Sequence, residues 1–156
     1  MRLVLFQPDI PQNAGTLLRT AACLGLPVDL IEPCGFILSD RHFRRAGMDY
    51  LKSVALVRHA SWQAFQSARS PGACGRLVVL TTRACLPYLD FDFRTNDAIL
   101  IGSESGGVPD AVHAMADARL RVPMVKQARS LNVAVAAAMV LGEALRQTGC
   151  FPESGR

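Results

Sequence analysis

The sequence predicts an α/β fold built on a parallel sheet. Its strand candidates are short, continuous apolar runs, which are typical of strands that helices cover on both faces. A strand, a helix and a second strand follow one another within about thirty residues at the start of the chain, as in a βαβ unit. The chain has 156 residues, of which 50% are hydrophobic, so we expect residues 1–156 to form a single domain.

The N-terminal βαβ unit is bounded by clear turn signals. Its first strand is the apolar run Arg2–Gln7, which ends before a turn with two prolines. Asn13 can cap a helix that continues to Leu24, because its side chain can accept hydrogen bonds from the first-turn N–H groups. Gly25 ends that helix, and Val28–Ile31 is the second strand.

The middle of the chain continues the alternation of strands and helices. Ser39 can cap a short basic helix, Asp40–Ala46, and a further helix is predicted over Ser61–Ala68. Arg83–Asn96 shows no regular period, so we expect a long loop there. Three apolar runs are predicted strands: Val54–Val57, Leu77–Leu80 and Ala98–Ile101.

The C-terminal stretch is predicted to be a strand, a loop and a helix. Arg119–Val122 alternates polar and apolar residues, and Pro123 ends the strand because it has no N–H to donate. Either Ser130 or Asn132 can cap the helix that follows, and Gly149 stops it. This helix has no polar side chain between residues 133 and 141, so we expect it to be buried on all sides, with the sheet covering one face and a second subunit the other.

The amino-acid composition indicates which kinds of partner the protein can bind. The net charge is +4, and 15 of the 17 basic residues are arginine, which suits either a polyanionic partner or a GC-rich genome that encodes lysine rarely. No apolar run reaches membrane-spanning length, and the five cysteines are scattered, as expected of reduced thiols. We therefore expect a cytoplasmic protein that binds neither a membrane nor a metal.

Three loops follow apolar strands and are predicted to form a pocket. They begin at Thr81, at Gly102 and at Met124, and the carboxyl ends of parallel strands meet at one edge of a sheet. The middle loop reads GSESGGVP, with Pro109 expected at the first position of a helix. Taken alone, this glycine-rich loop could hold a phosphate, an adenosine or nothing, and its carboxylate, Glu104, could simply bind neighbouring backbone.

The ordered motifs resemble those of the SPOUT methyltransferases, and most closely the minimal group of tRNA (cytidine/uridine-2′-O)-methyltransferases that act on the anticodon wobble nucleotide. The resemblance is carried by three segments: PQNAGTLLRTAACLG, LIGSESGGVP and RVPMVKQARSLNVAVAAAMVLGEALRQTG. The connecting segments IEPCGF and FRRAGMDY are also similar. Three residues differ from those that many relatives have: Gly106 replaces an arginine, Val135 an asparagine and Gly142 a tyrosine.

The resemblance implies a C-terminal trefoil knot, S-adenosylmethionine as cofactor, the tRNA anticodon stem-loop as substrate, and a homodimer packed through the first and last helices. It implies cofactor contacts at four positions: Leu80, Gly102, Val122 and Ser130. Arg19 corresponds to the arginine of the first motif and is the expected catalytic residue, while Glu104 and Asn132 correspond to the acid of the second and the amide of the third. Three basic residues are expected to meet the RNA: Arg41, Arg44 and Arg45.

The predicted reaction is transfer of a methyl group from the sulfonium of the cofactor to a ribose 2′-oxygen. Alignment of the two atoms can supply about 7–11 kcal/mol, and Arg19 would hold the neighbouring phosphate, since a guanidinium stays protonated near neutral pH. Two other classes remain open at this point. One is a non-catalytic RNA-binding protein, and the other is a nucleotide-dependent oxidoreductase, against which the absence of a first-turn G-x-G-x-x-G counts.

Overall fold

The computed structural model describes residues 1–38, 41–47, 49–50, 53–69 and 75–153. Its strands are β1 (Arg2–Phe6), β2 (Val28–Ile31), β3 (Leu56–His59), β4 (Leu77–Leu80), β5 (Leu86–Pro87), β6 (Ala98–Ile101) and β7 (Ala118–Arg121). Its α-helices are α1 (Pro11–Cys23), α2 (Arg41–Gly47), α3 (Trp62–Ala68), α4 (Asp110–Met115) and α5 (Val133–Thr148), and Tyr88–Asp90 forms a 3₁₀ turn. None of these helices is long and apolar enough to cross a membrane.

The strands form a seven-stranded sheet in the order β3-β2-β1-β6-β4-β7-β5, and every neighbouring pair is parallel. The order reverses at β1, which has β2 on one side and β6 on the other. Ligands bind at such a point in open α/β sheets, outside the carboxyl ends of the strands. The predicted α/β class with a parallel sheet is therefore confirmed.

Helices cover both faces of the sheet, as the short apolar strands predicted. Within β1, Leu3 and Leu5 face the layer of α1, α2 and α5, whereas Val4 and Phe6 face α3 and α4. This alternation follows from the period of two along a strand. Because both sets are almost fully buried, no face of the central strands is left for water.

Several element boundaries differ from the sequence predictions. β2, β4 and β6 have the predicted bounds, but β3 begins at Leu56 instead of Val54, because the Val54 N–H is bonded to the carbonyl of Tyr50 (3.1 Å) in a preceding turn. The long loop predicted over Arg83–Asn96 in fact contains β5 and the 3₁₀ turn. Pro109 precedes α4 as its N-cap and is not its first residue.

The start of α1 was also predicted wrongly. Pro11 occupies the first helical turn and Ile10 is the N-cap, which agrees with the preference of proline for positions whose N–H has no partner in the helix. Asn13 is therefore not the cap of α1, and its side chain instead accepts a hydrogen bond from Asn132, as described below. The predicted cap of the second helix, Ser39, and its first residue, Asp40, lie outside the described residues.

The last helix has the predicted limits and one of its two predicted caps. Asn132, and not Ser130, caps α5, and Gly149 ends it in the left-handed conformation (φ 64°). The face of α5 that was expected to meet a second subunit is exposed in the single chain, where Val135 and Met139 are 51% and 41% exposed. Only the opposite face, which includes Ala137, packs into the core.

The cysteines of the described part of the chain are free thiols: Cys23, Cys34, Cys85 and Cys150. This agrees with the reduced, scattered set predicted from their spacing. Cys74 lies outside the described residues.

Candidate active site

A cavity of about 650 Å³ opens at the carboxyl ends of β6, β4 and β7. The strand register explains its position, since Leu80 lies level with Ile101 on one side and with Leu120 on the other. The three following loops therefore leave the sheet side by side, as predicted. All four residues predicted to bind a cofactor line this cavity: Leu80, Gly102, Val122 and Ser130.

The glycine-rich loop is closed tightly by its own backbone. Ser103 and Gly107 exchange two backbone hydrogen bonds of 3.0 and 2.9 Å. A Cβ atom on Gly102 would lie 2.4 Å from the carbonyl carbon of Gly107, so no larger residue fits there without opening the loop. Gly107 itself has a positive φ of 62°, which glycine adopts at low cost.

Two acidic side chains connect this loop to the segment after β1. The Asp9 carboxylate accepts hydrogen bonds from the backbone N–H groups of Glu104 (3.0 Å) and Ser105 (3.2 Å) and from the Ser105 hydroxyl. In return, the Asp9 N–H donates to Glu104 Oε2 at 3.3 Å. The glutamate thus binds the backbone of a segment 95 positions away in the sequence.

The electrostatics of these two groups are opposite. The hydrogen bonds from Glu104 and Ser105 lower the pKa of Asp9 to about 2, although its partial burial acts in the other direction. Burial, followed by the hydrogen bond to Asp9, raises the pKa of Glu104. Asp9 is therefore the carboxylate and Glu104 the group that holds its proton more readily.

A pair of asparagines joins the third loop to the first helix. The Asn132 side-chain oxygen accepts from the N–H groups of Ala134 (2.9 Å) and Val135 (3.3 Å), and its amide donates to Asn13 Oδ1 at 2.9 Å. Both asparagines line the cavity. The cap of α5 therefore fixes one wall of the cavity against α1.

A model of the SpoU rRNA Methylase family matches residues 1–142 of the chain. The chain belongs to this family. This confirms the resemblance predicted from the three motifs, because the match includes the loops that build the cavity.

Individual proteins are similar to this chain over almost its whole length. A tRNA (cytidine(34)-2′-O)-methyltransferase of Beijerinckia indica subsp. indica is 63% identical over 149 residues, which cover 96% of this chain and 92% of that protein. A structure solved to study the 2-OH methylation of C/U34 on tRNA has a TM-score of 0.88 and 45% identity and covers 94% of each chain. The SpoU methyltransferase AviRb from Streptomyces viridochromogenes, solved with AdoMet, has a TM-score of 0.82 and 30% identity, over 94% of this chain and 60% of that one.

Arg19, the predicted catalytic residue, does not line the cavity of its own chain. It is exposed on α1, and its guanidinium carbon is 5.5 Å from the ring centre of Tyr50. Because α1 begins at the carboxyl edge of the sheet and runs away from it, Arg19 is about 9 Å further along the helix axis than Asn13. The structure thus brings the cofactor-binding candidates together but does not bring Arg19 to them.

The predicted RNA-binding arginines lie on α2, which packs beside α1. Arg41 and Arg45 are exposed and four residues apart, so they share one face of the helix. The side chain of Arg44 is outside the described part of the structure.

The three positions at which the sequence analysis expects a departure from the related proteins lie where the structure leaves space. A Cβ on Gly106 would meet only the Ser103 hydroxyl at 3.4 Å, and one on Gly142 would have nothing within 4 Å. Val135 is exposed. The described core therefore does not depend on a larger side chain at any of these positions.

Sequence reasoning missed two groups at this site. Asp9 was not among the candidates, although it follows the carboxyl end of β1 and so lies on the same edge as the three loops. His113 also lines the cavity, and burial lowers its pKa. Its position on α4, directly after the glycine-rich loop, is the signal that could have indicated it.

Proposed function

We propose that this chain transfers a methyl group from S-adenosylmethionine to the 2′-oxygen of the wobble nucleotide, cytidine or uridine 34, in the tRNA anticodon loop. The observation that carries the proposal is the cavity at the carboxyl edge of the sheet, built by the same motif loops that identify the family. Its volume of about 650 Å³ lies in the range of about 300–1,000 Å³ typical of small-molecule sites. The names of the relatives supply the substrate and the position.

The cavity residues fit the proposed cofactor chemically. Leu80 and Val122 offer apolar surface of the kind that an adenine ring needs, and Ser130 and the backbone at Gly102 offer polar groups. Glu104 lines the cavity beside Asn13, and its buried Oε1 makes no hydrogen bond of normal geometry among the described groups, so the cavity wall holds a polar group that a bound molecule can satisfy. When bound, S-adenosylmethionine supplies a sulfonium methyl group, which is the electrophile of the reaction.

The chain itself must orient the ribose and help its hydroxyl lose a proton. We assign to Arg19 the binding of the phosphate next to the target ribose, since a guanidinium is a bidentate phosphate ligand and stays protonated. Arg19 does not line the cavity of its own chain, so this role requires a substrate or a second copy of the chain that bridges α1 and the cavity. The face with Arg41 and Arg45 then provides further phosphate contacts, together with Arg44.

The remaining structural expectations belong to the same proposal. We propose that residues 1–156 act as one methyltransferase domain whose C-terminal part is threaded as a trefoil knot, with β6 placed between β1 and β4. We also propose a homodimer through α1 and α5, supported by the exposed apolar residues of α5. A tRNA substrate implies a cytoplasmic location.

The proposal is tested with an in vitro transcript of a tRNA and tritium-labelled S-adenosylmethionine. We expect label on the transcript, and none on the same tRNA assembled with a 2′-deoxynucleotide at position 34 alone. Equal labelling of both would show that the 2′-oxygen of nucleotide 34 is not the acceptor. Binding of both tRNAs without any label would favour the non-catalytic RNA-binding protein.

A further inference from the structure

We propose that Asp9 is a positioning residue for the proposed cofactor site: its side chain holds the 103–107 turn in the shape that lines the cavity, and Gly35 holds Asp9 in place. The inference rests on the proposed function, since it assumes that the cofactor occupies this cavity. Asp9 itself is not among the residues that line it.

The first argument is the set of contacts that Asp9 makes. Two consecutive backbone N–H groups, those of Glu104 and Ser105, point to one carboxylate, and the Ser105 hydroxyl points to it as well. Hydrogen bonds to an ionised acceptor are stronger than neutral ones. Ser103 and Gly107 close the turn through their own pair of backbone bonds, and the Glu104 side chain also bonds to Asn13. Among the described contacts, Asp9 is the residue that binds the backbone of the turn from outside it.

The second argument is that the backbone at Gly35 leaves little space around Asp9. A Cβ on Gly35 would lie 2.8 Å from both Cα and Cβ of Asp9, so the two backbones are in direct contact. The Gly35 N–H also donates to the carbonyl of Pro8 at 2.9 Å. The segment after β2 is thus packed directly against Asp9.

Together these contacts connect three loops that leave β1, β2 and β6. A change at Gly35, which does not line the cavity, should therefore reach the cofactor through Asp9. A residue that merely supported the fold would lower stability but leave the affinity of the folded protein unchanged. This difference makes the inference testable.

The test compares Asp9→Asn and Gly35→Ala with wild type in the full chain. Asparagine keeps the size of the side chain but turns one acceptor oxygen into a donor, which faces N–H groups that also donate. We expect S-adenosylmethionine to bind about tenfold more weakly to each variant by titration calorimetry, as the loss of a charge-assisted hydrogen bond implies. The KM for the cofactor should rise by a similar factor, with kcat at saturation within about twofold of wild type, because the reacting groups are untouched.

Three companion variants keep the inference separate from the cavity assignment. Ile37→Ala changes a side chain that is 76% exposed in the same segment as Gly35, and it should bind the cofactor like wild type. Ser105→Ala removes the hydroxyl contact to Asp9 and should weaken binding about twofold, but Ser105 also lines the cavity; Gly35→Ala, which lies outside the cavity, therefore keeps the test informative if Asp9→Asn does not fold. Leu80→Ala alters the cavity itself.

The outcomes are distinct. Weaker binding by Leu80→Ala with wild-type binding by Asp9→Asn, Gly35→Ala and Ser105→Ala would overturn the role of Asp9 and leave the cavity as the cofactor site. Wild-type binding by all of the variants, Leu80→Ala included, would mean that the cofactor does not use this cavity, and the proposed site would fail together with the inference. Weaker binding by Asp9→Asn and Gly35→Ala, with Ile37→Ala unchanged, would support both.

Discussion

Replacing Gly102 by alanine should open the glycine-rich loop. The added Cβ would lie 2.4, 2.6 and 2.8 Å from the carbonyl carbon, the oxygen and the Cα of Gly107. All three are backbone atoms, so no side-chain rotation can relieve the contact. The loop must move apart at the point where Ser103 and Gly107 exchange their two hydrogen bonds.

The expected cost follows from these contacts. Overpacking at a tight site costs about 1–3 kcal/mol, and each lost hydrogen bond adds about 0.5–1.5 kcal/mol. We therefore expect Gly102→Ala to lower the free energy of unfolding by about 3 kcal/mol, within a range of about 2–6 kcal/mol. For a chain of this length, 3 kcal/mol corresponds to a fall of about 6–12 °C in the midpoint of thermal unfolding.

Urea unfolding followed by circular dichroism measures this change, because the midpoint shifts while the slope stays constant if only stability is altered. The matched control is Gly106→Ala in the same loop, whose Cβ would meet only the Ser103 hydroxyl at 3.4 Å. That variant should stay within about 0.5 kcal/mol of wild type. Equal stability of the two alanine variants would refute the reasoning, since it would mean that the contact with Gly107 is not a constraint.

Three further predictions concern α5 and the acidic pair. Asn132→Ala should lower the free energy of unfolding in urea by about 1 kcal/mol through loss of the helix cap. The control Ser130→Ala removes no cap and should change it little. A larger loss for Ser130→Ala than for Asn132→Ala would be incompatible with the observed capping. Val135→Asp should convert the proposed dimer into a monomer in sedimentation velocity, while Ile37→Asp, the same kind of change at another exposed apolar residue, should leave the association state as it is. Because the pKa of Glu104 is raised in the folded state, its contribution to stability is complete below the usual glutamate pKa and is lost as pH rises through the folded value. Glutamine cannot ionise, so the unfolding free energy of Glu104→Gln should increase relative to that of wild type as pH rises from the usual glutamate pKa to the folded one. A difference between the two unfolding free energies that stays constant across pH would contradict this.

The local sequence pattern was sufficient to predict the limits of strands that are buried along almost their whole length. β2, β4 and β6 are runs of four mostly apolar residues, buried except for the half-buried Leu80, between turn signals, so sequence alone contains their limits. β5 is a strand of two residues, one of them Pro87, and it exists only because it pairs with β7. Nothing local distinguishes such a segment from a loop, which is why a loop was predicted there.

The candidate site also has one feature that the sequence could predict and one that it could not. The meeting of the three loops could be predicted, because it follows from the parallel direction of the strands. The partnership of Asp9 with Glu104 joins residues 95 positions apart, and it depends on β6 being placed next to β1. Sheet order is decided by the packing of the whole chain, so neither residue carries a local signal of the other.

The exposed apolar face of α5 and one wall of the cavity lie on the same helix. Val133 and Ala136 line the cavity, whereas Val135 and Met139, on the same helix, are exposed. Since a helix with its side chains is only about 10–12 Å wide, any partner that covers the outer face of α5 must also stand beside the cavity mouth. A second copy bound there would add a wall beside the cavity mouth and could bring α1, with its exposed Arg19, to the substrate. Val135→Asp should consequently lower methyl transfer as well as association, and a fully active monomer would show that one chain completes the site alone.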